Sequence, residues 1–173
     1  MGSRIFVALD ADLDQAADLS ANVSLWFEDW EQCLSRFRMD SEISRLNRRD
    51  GKQSRHSYPL SATFFEVMDI GSSRPLEPTL LDSIAAAGYD RTFEAIAGSE
   101  RSLENKASAR TGRWSELQLC AESQSITLHM QVRLDFGGIA KGWAANRAAQ
   151  RLAKLVPALV DSGGDIVISG PSL

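Results

Sequence analysis

The chain has 173 residues, 43% of them hydrophobic and 24% charged, which suits one globular domain with a substantial core. A net charge of -4 at pH 7 excludes a broad basic surface for nucleic acid. No apolar run approaches the ~20 residues that cross a bilayer.

The chain opens MGSRIFVALDADLD. Residues 4–10 alternate and read as a strand. The acidic residues arrive too early for a secretory h-region, so the sequence as it stands reads as cytoplasmic. Leu19, Val23, Trp26, Trp30, Cys33 or Leu34, and Phe37 then recur at steps of three and four. That spacing predicts a helix over 12–35 with both tryptophans in the core. Asp40 or Ser41 can cap a short helix, which the Asp50-Gly51 turn closes. Arg36, Arg38, Arg45 and Arg48 cluster here, either as a solvated face with local ion pairs or as phosphate contacts.

Ser61 caps a predicted helix over 61–69, followed by a Gly/Ser/Pro loop over 71–79. Leu80–Ala87 reads as a helix closed by Gly88. Residues 97–113 are polar and irregular. ELQLC (116–120) and SITLHM (125–130) read as a hairpin, and Gln131 to Asp135 as a further short strand. Ile139, Trp143, Arg147 or Ala148, Leu152 and Leu155 fall on one helical face. Residues 158–169 read as strand, turn, strand. The fold class is α+β: a mixed, mostly antiparallel sheet with a long N-terminal helix and other helices packed on it. Trp26, Trp30, Phe37, Trp143, Leu152 and the apolar strand positions form the expected core.

The two cysteines, Cys33 and Cys120, are far apart and fit no metal spacing. Cys33 falls on the apolar stripe as a buried thiol. His56 and His129 lie in unrelated contexts, so no Ser/His/Asp or Cys/His site can be built from them.

The chemistry concentrates in LDFGGIAKGWAANRAA (134–149). Gly137 and Gly138 let the backbone approach a ligand closely. The first N–H groups of the next helix have no internal partners and attract anions. Lys141, one of only four lysines against 15 arginines, adds a positive charge. Asp135 would repel an anion unless it binds hydroxyls or lies near a metal. The set suits a nucleotide carrying hydroxyls and phosphates, or else a tight strand-to-helix turn with a solvated lysine. It is neither a Walker A loop nor G-x-G-x-x-G.

Six segments, in order, resemble the ApbE family, the FAD:protein FMN transferases. They are MGS with its strand, WEQCLSRFRMDSEISRLN (30–47), PLEPT (75–79), AAAGYDRTFE (85–94), LDFGGIAKGWAANRAA (134–149) and GGDIVISG (163–170). The resemblance implies binding of FAD, use of Mg2+, and transfer of FMN to a Thr of a target flavoprotein. It implies that Met1 touches the flavin and that Phe37 lies beside the isoalloxazine. Leu76 and Glu77 would belong to an FAD-contacting loop. Asp135 and Lys141 match FAD-contacting positions, and the Gly138 carbonyl matches a metal ligand.

Residues 1–173 thus resemble a single domain of this family without its C-terminal half, where the family's Asp and Thr side-chain metal ligands lie. Leu76-Glu77 stands where the family has Phe-Asp, and Asn146 replaces a usual Asp. Three readings follow: a flavin transferase, a non-catalytic flavin-nucleotide binder, or a remnant that needs a partner chain, either a second copy or a complementing polypeptide.

Overall fold

The structure is a computed structural model that describes residues 4–49, 56–73, 76–89, 91, 113–129 and 131–170. β1 (Ile5–Leu9) leads into α1 (Leu13–Leu34), close to the expected span. The Asp12 carboxylate starts α1 by accepting the Gln15 N–H at 2.9 Å. Leu19, Val23, Phe27, Trp30, Cys33 and Leu34 form its buried stripe. Trp26, expected in the core, sits at the edge of that stripe and is half-buried. The Arg151 guanidinium covers its ring at 4.9 Å.

Ser41, rather than Asp40, caps α2 (Glu42–Asn47) by accepting the Ser44 N–H at 3.1 Å. The turn expected at Asp50-Gly51 lies outside the described residues. After β2 (His56–Pro59), Ser61 caps α3 (Ala62–Ser72), which runs three residues beyond the expected end. Gly71 makes that extension fit. A Cβ there would come within 3.2 Å of Ile139 Cδ1, so the bare glycine lets the last turn pack closely. α4 (Leu81–Ala86) ends at Gly88, whose φ of +100° is the left-handed helix stop foreseen for it. Residues 97–112, nearly all of the expected irregular segment, lie outside the described residues.

A 3-10 turn at Trp114–Glu116 precedes β3 (Leu117–Cys120), which pairs with β4 (Ser125–Leu128) as the predicted hairpin. β2 joins the other edge of β4, giving an antiparallel sheet ordered β2-β4-β3. α5 (Ala140–Leu152) then precedes β5 (Ala158–Ser162) and β6 (Asp165–Ser169). These last two strands form an antiparallel hairpin across Gly163 and Gly164, both at positive φ, as such a two-residue turn requires. β1 pairs with β5, so the second sheet is ordered β1-β5-β6. The fold is α+β with antiparallel pairing, as expected, and its described strands divide between two sheets.

α5 packs between the second sheet and α1. Ala144, Ala145, Ala148 and Ala149 are fully buried, so small side chains set the close approach. Trp30 meets Trp143 edge to face at 5.2 Å. Leu155, expected on the same apolar face, is instead exposed. α5 stops at Leu152, and the following turn breaks the helical period. The outer face of the β1-β5-β6 sheet exposes Phe6, Ile166 and Ile168. Among the described residues no helix is long and apolar enough to cross a membrane.

Candidate functional site

Residues 132–139 form the floor of the site. Val132, Leu134, Phe136 and Ile139 turn inward and are buried, with Phe136 packed on Phe64 at 4.9 Å. Their alternation directs Arg133, Asp135 and the glycines the other way. The strand expected over Gln131–Asp135 does not form: the segment has no ladder. Its backbone groups are met otherwise. The Asn47 amide donates to the Leu134 carbonyl at 2.8 Å, and its oxygen accepts the Leu134 N–H at 2.7 Å. The Asp135 N–H donates to the Pro78 carbonyl at 2.8 Å. A side chain and a loop take the place of a neighbouring strand.

Asp135 stands at the centre of the site. Its Oδ1 accepts the Gly137 N–H at 3.1 Å and lies 3.4 Å from Arg36 Nε. Both side chains of this ion pair are mostly buried, 8% exposed for Arg36 and 9% for Asp135. Arg36 also donates from Nη2 to the Tyr89 carbonyl at 2.8 Å. Its guanidinium lies over the Phe37 ring at 4.5 Å and the Tyr89 ring at 4.8 Å. The two rings meet edge to face at 6.0 Å. Phe37 therefore forms a half-buried wall of the site rather than part of the core. It follows the Ser35 cap of α1, so the helical stripe no longer governs its direction.

The loop carrying Leu76 and Glu77 adjoins this floor through the Pro78–Asp135 bond. The Leu76 carbonyl accepts the Trp114 indole N–H at 2.8 Å. Glu77 Oε1 accepts the Thr79 N–H at 3.0 Å and also its hydroxyl. Thr79 Oγ1 in turn accepts the Arg113 N–H at 2.7 Å. Gly137 is bare for a reason: a Cβ there would lie 3.3 Å from Asp135 Oδ2. Beside it, Gly138 faces open space. No side chain caps α5, which leaves orphan N–H groups in its first turn, next to half-buried Lys141. The Asp165 carboxylate carbon lies 3.7 Å from where a Gly142 Cβ would be, so the Gly-Gly-Asp strand meets this same turn.

The 30–47 segment braces the site. Ser41 Oγ donates to the Ser35 carbonyl at 2.7 Å. Glu42 Oε1 accepts the Ser61 N–H at 2.8 Å, and its Oε2 accepts the Cys33 thiol at 3.3 Å. Ser44 Oγ donates to the Arg36 carbonyl at 3.3 Å. Burial on the α1 stripe pushes the Cys33 thiol up to about 12. Of the other clustered arginines, Arg38 pairs with Glu28 and Glu31, while Arg45 and Arg48 reach the carbonyls of Asp40 and Met39.

Phe37, Leu76, Glu77, Asp135, Gly138 and Lys141 thus belong to one neighbourhood. Met1 lies outside the described residues. Arg36, Tyr89, Asn47 and Asp165 join the site without having been singled out individually, although each lies in a segment whose resemblance was noted. Among the described residues no group of three or more His, Cys, Asp or Glu converges as a metal site. One Gly138 carbonyl does not make an octahedral Mg2+ site, so the residues described here do not fit that ion on their own. A separate cleft of about 280 Å³ between α1, α3 and α5 contains none of the sequence-derived candidates.

Two antiparallel sheets, with α5 packed on one of them and a Gly-Gly turn opening that helix beside Asp135 and Lys141, describe an α+β protein. The model of the ApbE family matches residues 1–172, and the chain belongs to that family. The structure is similar to that of the flavin transferase ApbE from Vibrio cholerae, with a TM-score of 0.73 at 18% identity. That match covers 99% of this chain and 57% of the other. The apo form of the Pseudomonas stutzeri flavinyl transferase ApbE matches with a TM-score of 0.72 at 20% identity, over 97% of this chain and 59% of that one. The ApbE protein from Thermotoga maritima gives 0.72 at 17%, over 98% and 56%. The chain therefore spans less than three fifths of the length of these solved relatives. No curated protein matches it.

Proposed function

We propose that this chain binds FAD and forms the nucleotide-holding part of an FAD:protein FMN transferase. One observation carries the reading: family segments distant in sequence meet around the Gly137-Gly138 turn. Asp135 would accept from ligand hydroxyls, while Lys141 and the start of α5 would hold phosphate. Phe37 would stand beside the isoalloxazine, with Leu76, Glu77 and Met1 completing the contact. The products would be AMP and FMN joined to a Thr of a target flavoprotein, the Thr oxygen replacing AMP at the FMN phosphorus as the pyrophosphate bond breaks. Mg2+ would need ligands beyond the Gly138 carbonyl, the nucleotide phosphates among them.

A second reading is favoured by the exposed Phe6, Ile166 and Ile168 on the β1-β5-β6 sheet. Here the chain binds the flavin nucleotide and acts only with a complementing chain or a second copy. The test is incubation with FAD, Mg2+ and a Thr-containing acceptor flavoprotein, followed by in-gel flavin fluorescence. A fluorescent acceptor band supports transferase activity in this chain. FAD binding without that band supports the second reading.

A further inference from the structure

Asp135 poses an electrostatic difficulty for any phosphate ligand. The Gly137-Gly138 turn carries the Asp135 carboxylate, and Asp165 meets the helix turn that follows it, against Lys141 on that same turn. A phosphate placed there would meet net negative charge. Arg36 changes that balance. Its guanidinium is held on several sides: by Asp135 Oδ1, by the Tyr89 carbonyl, and by the Phe37 and Tyr89 rings. A cation so enclosed does not swing like a solvated arginine. It is a fixed part of the wall.

The pairing is also one-sided. Arg36 and the Gly137 N–H both engage Oδ1. Oδ2 stands over Gly137 with no hydrogen-bond partner among the described residues. The carboxylate thus has one oxygen fixed by the protein and one left to accept from a ligand.

We infer that Arg36 is a positioning residue for nucleotide binding: it orients Asp135 with Oδ2 toward the ligand and cancels its charge, so that a pyrophosphate can occupy the adjacent turn. This rests on the flavin-nucleotide reading above but makes a separate claim about charge. Arg36 acts through Asp135 and the local field, not by reaction chemistry.

The experiment measures binding of inorganic pyrophosphate and of FAD, separately, by calorimetry in Mg2+ buffer. The proteins are wild type, Arg36→Gln, Arg36→Lys, Asp135→Asn and the Arg36→Gln/Asp135→Asn double variant, each checked for folding by circular dichroism. Arg36→Gln should weaken pyrophosphate by about ten-fold or more. Arg36→Lys should keep most of the affinity, because it keeps the charge while losing the stacked, forked geometry. The double variant should return to near wild type, since a neutral amide in place of the carboxylate needs no counter-ion.

Pyrophosphate affinity unchanged in Arg36→Gln, or lost equally in a folded Arg36→Lys, would overturn the proposal. Wild-type binding of pyrophosphate with no binding of FAD would leave the charge proposal standing and refute the flavin reading. FAD binding that ignores Arg36 would do the reverse. A wild type that binds neither overturns both.

Discussion

Asn47→Ala removes the clamp on the floor of the site, and its cost can be worked from the structure. The side chain makes two hydrogen bonds to Leu134, one to its carbonyl at 2.8 Å and one from its N–H at 2.7 Å. Leu134 is fully buried, and the neighbouring segment supplies no ladder to replace these partners. Each buried backbone group left unpaired costs about 1–3 kcal/mol. Two such groups, with some water reaching the outer one, give about 2–4 kcal/mol. In a domain of this size that lowers the melting temperature by roughly 5–15 °C. Urea denaturation followed by tryptophan fluorescence measures the loss. Asn146→Ala, on the exposed side of α5, is the control and should stay within about 0.5 kcal/mol. An Asn47→Ala variant as stable as that control would refute the idea that this amide stands in for a strand.

Other predictions concern the cysteines and the glycine turn. In the native protein a thiol reagent at pH 8 should label exposed Cys120, whose pKa is lowered by its hydrogen bond with Ser123, and spare Cys33 until denaturant is added. Two fast-reacting thiols would contradict the buried Cys33–Glu42–Ser61 cluster. The same cluster gives an alkaline dependence. The folded Cys33 pKa of about 12 lies above the ordinary thiol value of 9.0, so the unfolded chain loses this proton first. The stabilising contribution is complete below pH 9.0 and declines as pH rises toward 12. Cys33→Ala should flatten that decline in melts between these limits, and an unchanged slope would exclude Cys33 as its source. Gly137→Ala places a methyl 3.3 Å from Asp135 Oδ2 and should displace the carboxylate. It should weaken FAD binding several-fold while costing about 1 kcal/mol or less in stability, as read by titration and melting.

The helices were legible because their signals are local. Period alone pointed to α1, and Ser41, Ser61 and Gly88 carry out the terminal roles read from their types. The two hairpins were legible for the same reason. The segment 131–135 misled because it alternates like a strand, while its partners are the amide of Asn47 and the carbonyl of Pro78. Such a substitution comes from residues far away in sequence and leaves no local trace. Phe37 and Leu155 misled for a related reason, each continuing a helical period past the end of its helix. At the site, the glycines, Asp135 and Lys141 were visible as chemistry on one turn. The burial of Arg36 against Asp135 was not. In the sequence it is one arginine among four near the end of α1, and only the fold separates it from Arg38, which stays at the surface with Glu28.

Under the proposed function, the Asp135–Lys141 turn holds a flavin nucleotide. The most direct measurement is FAD titration into the purified chain, followed by flavin and protein fluorescence with and without Mg2+. Lys141→Ala and Asp135→Ala are titrated beside it. Wild type should bind saturably, and each substitution should weaken binding by about ten-fold. No binding, or binding that both variants keep, would contradict it.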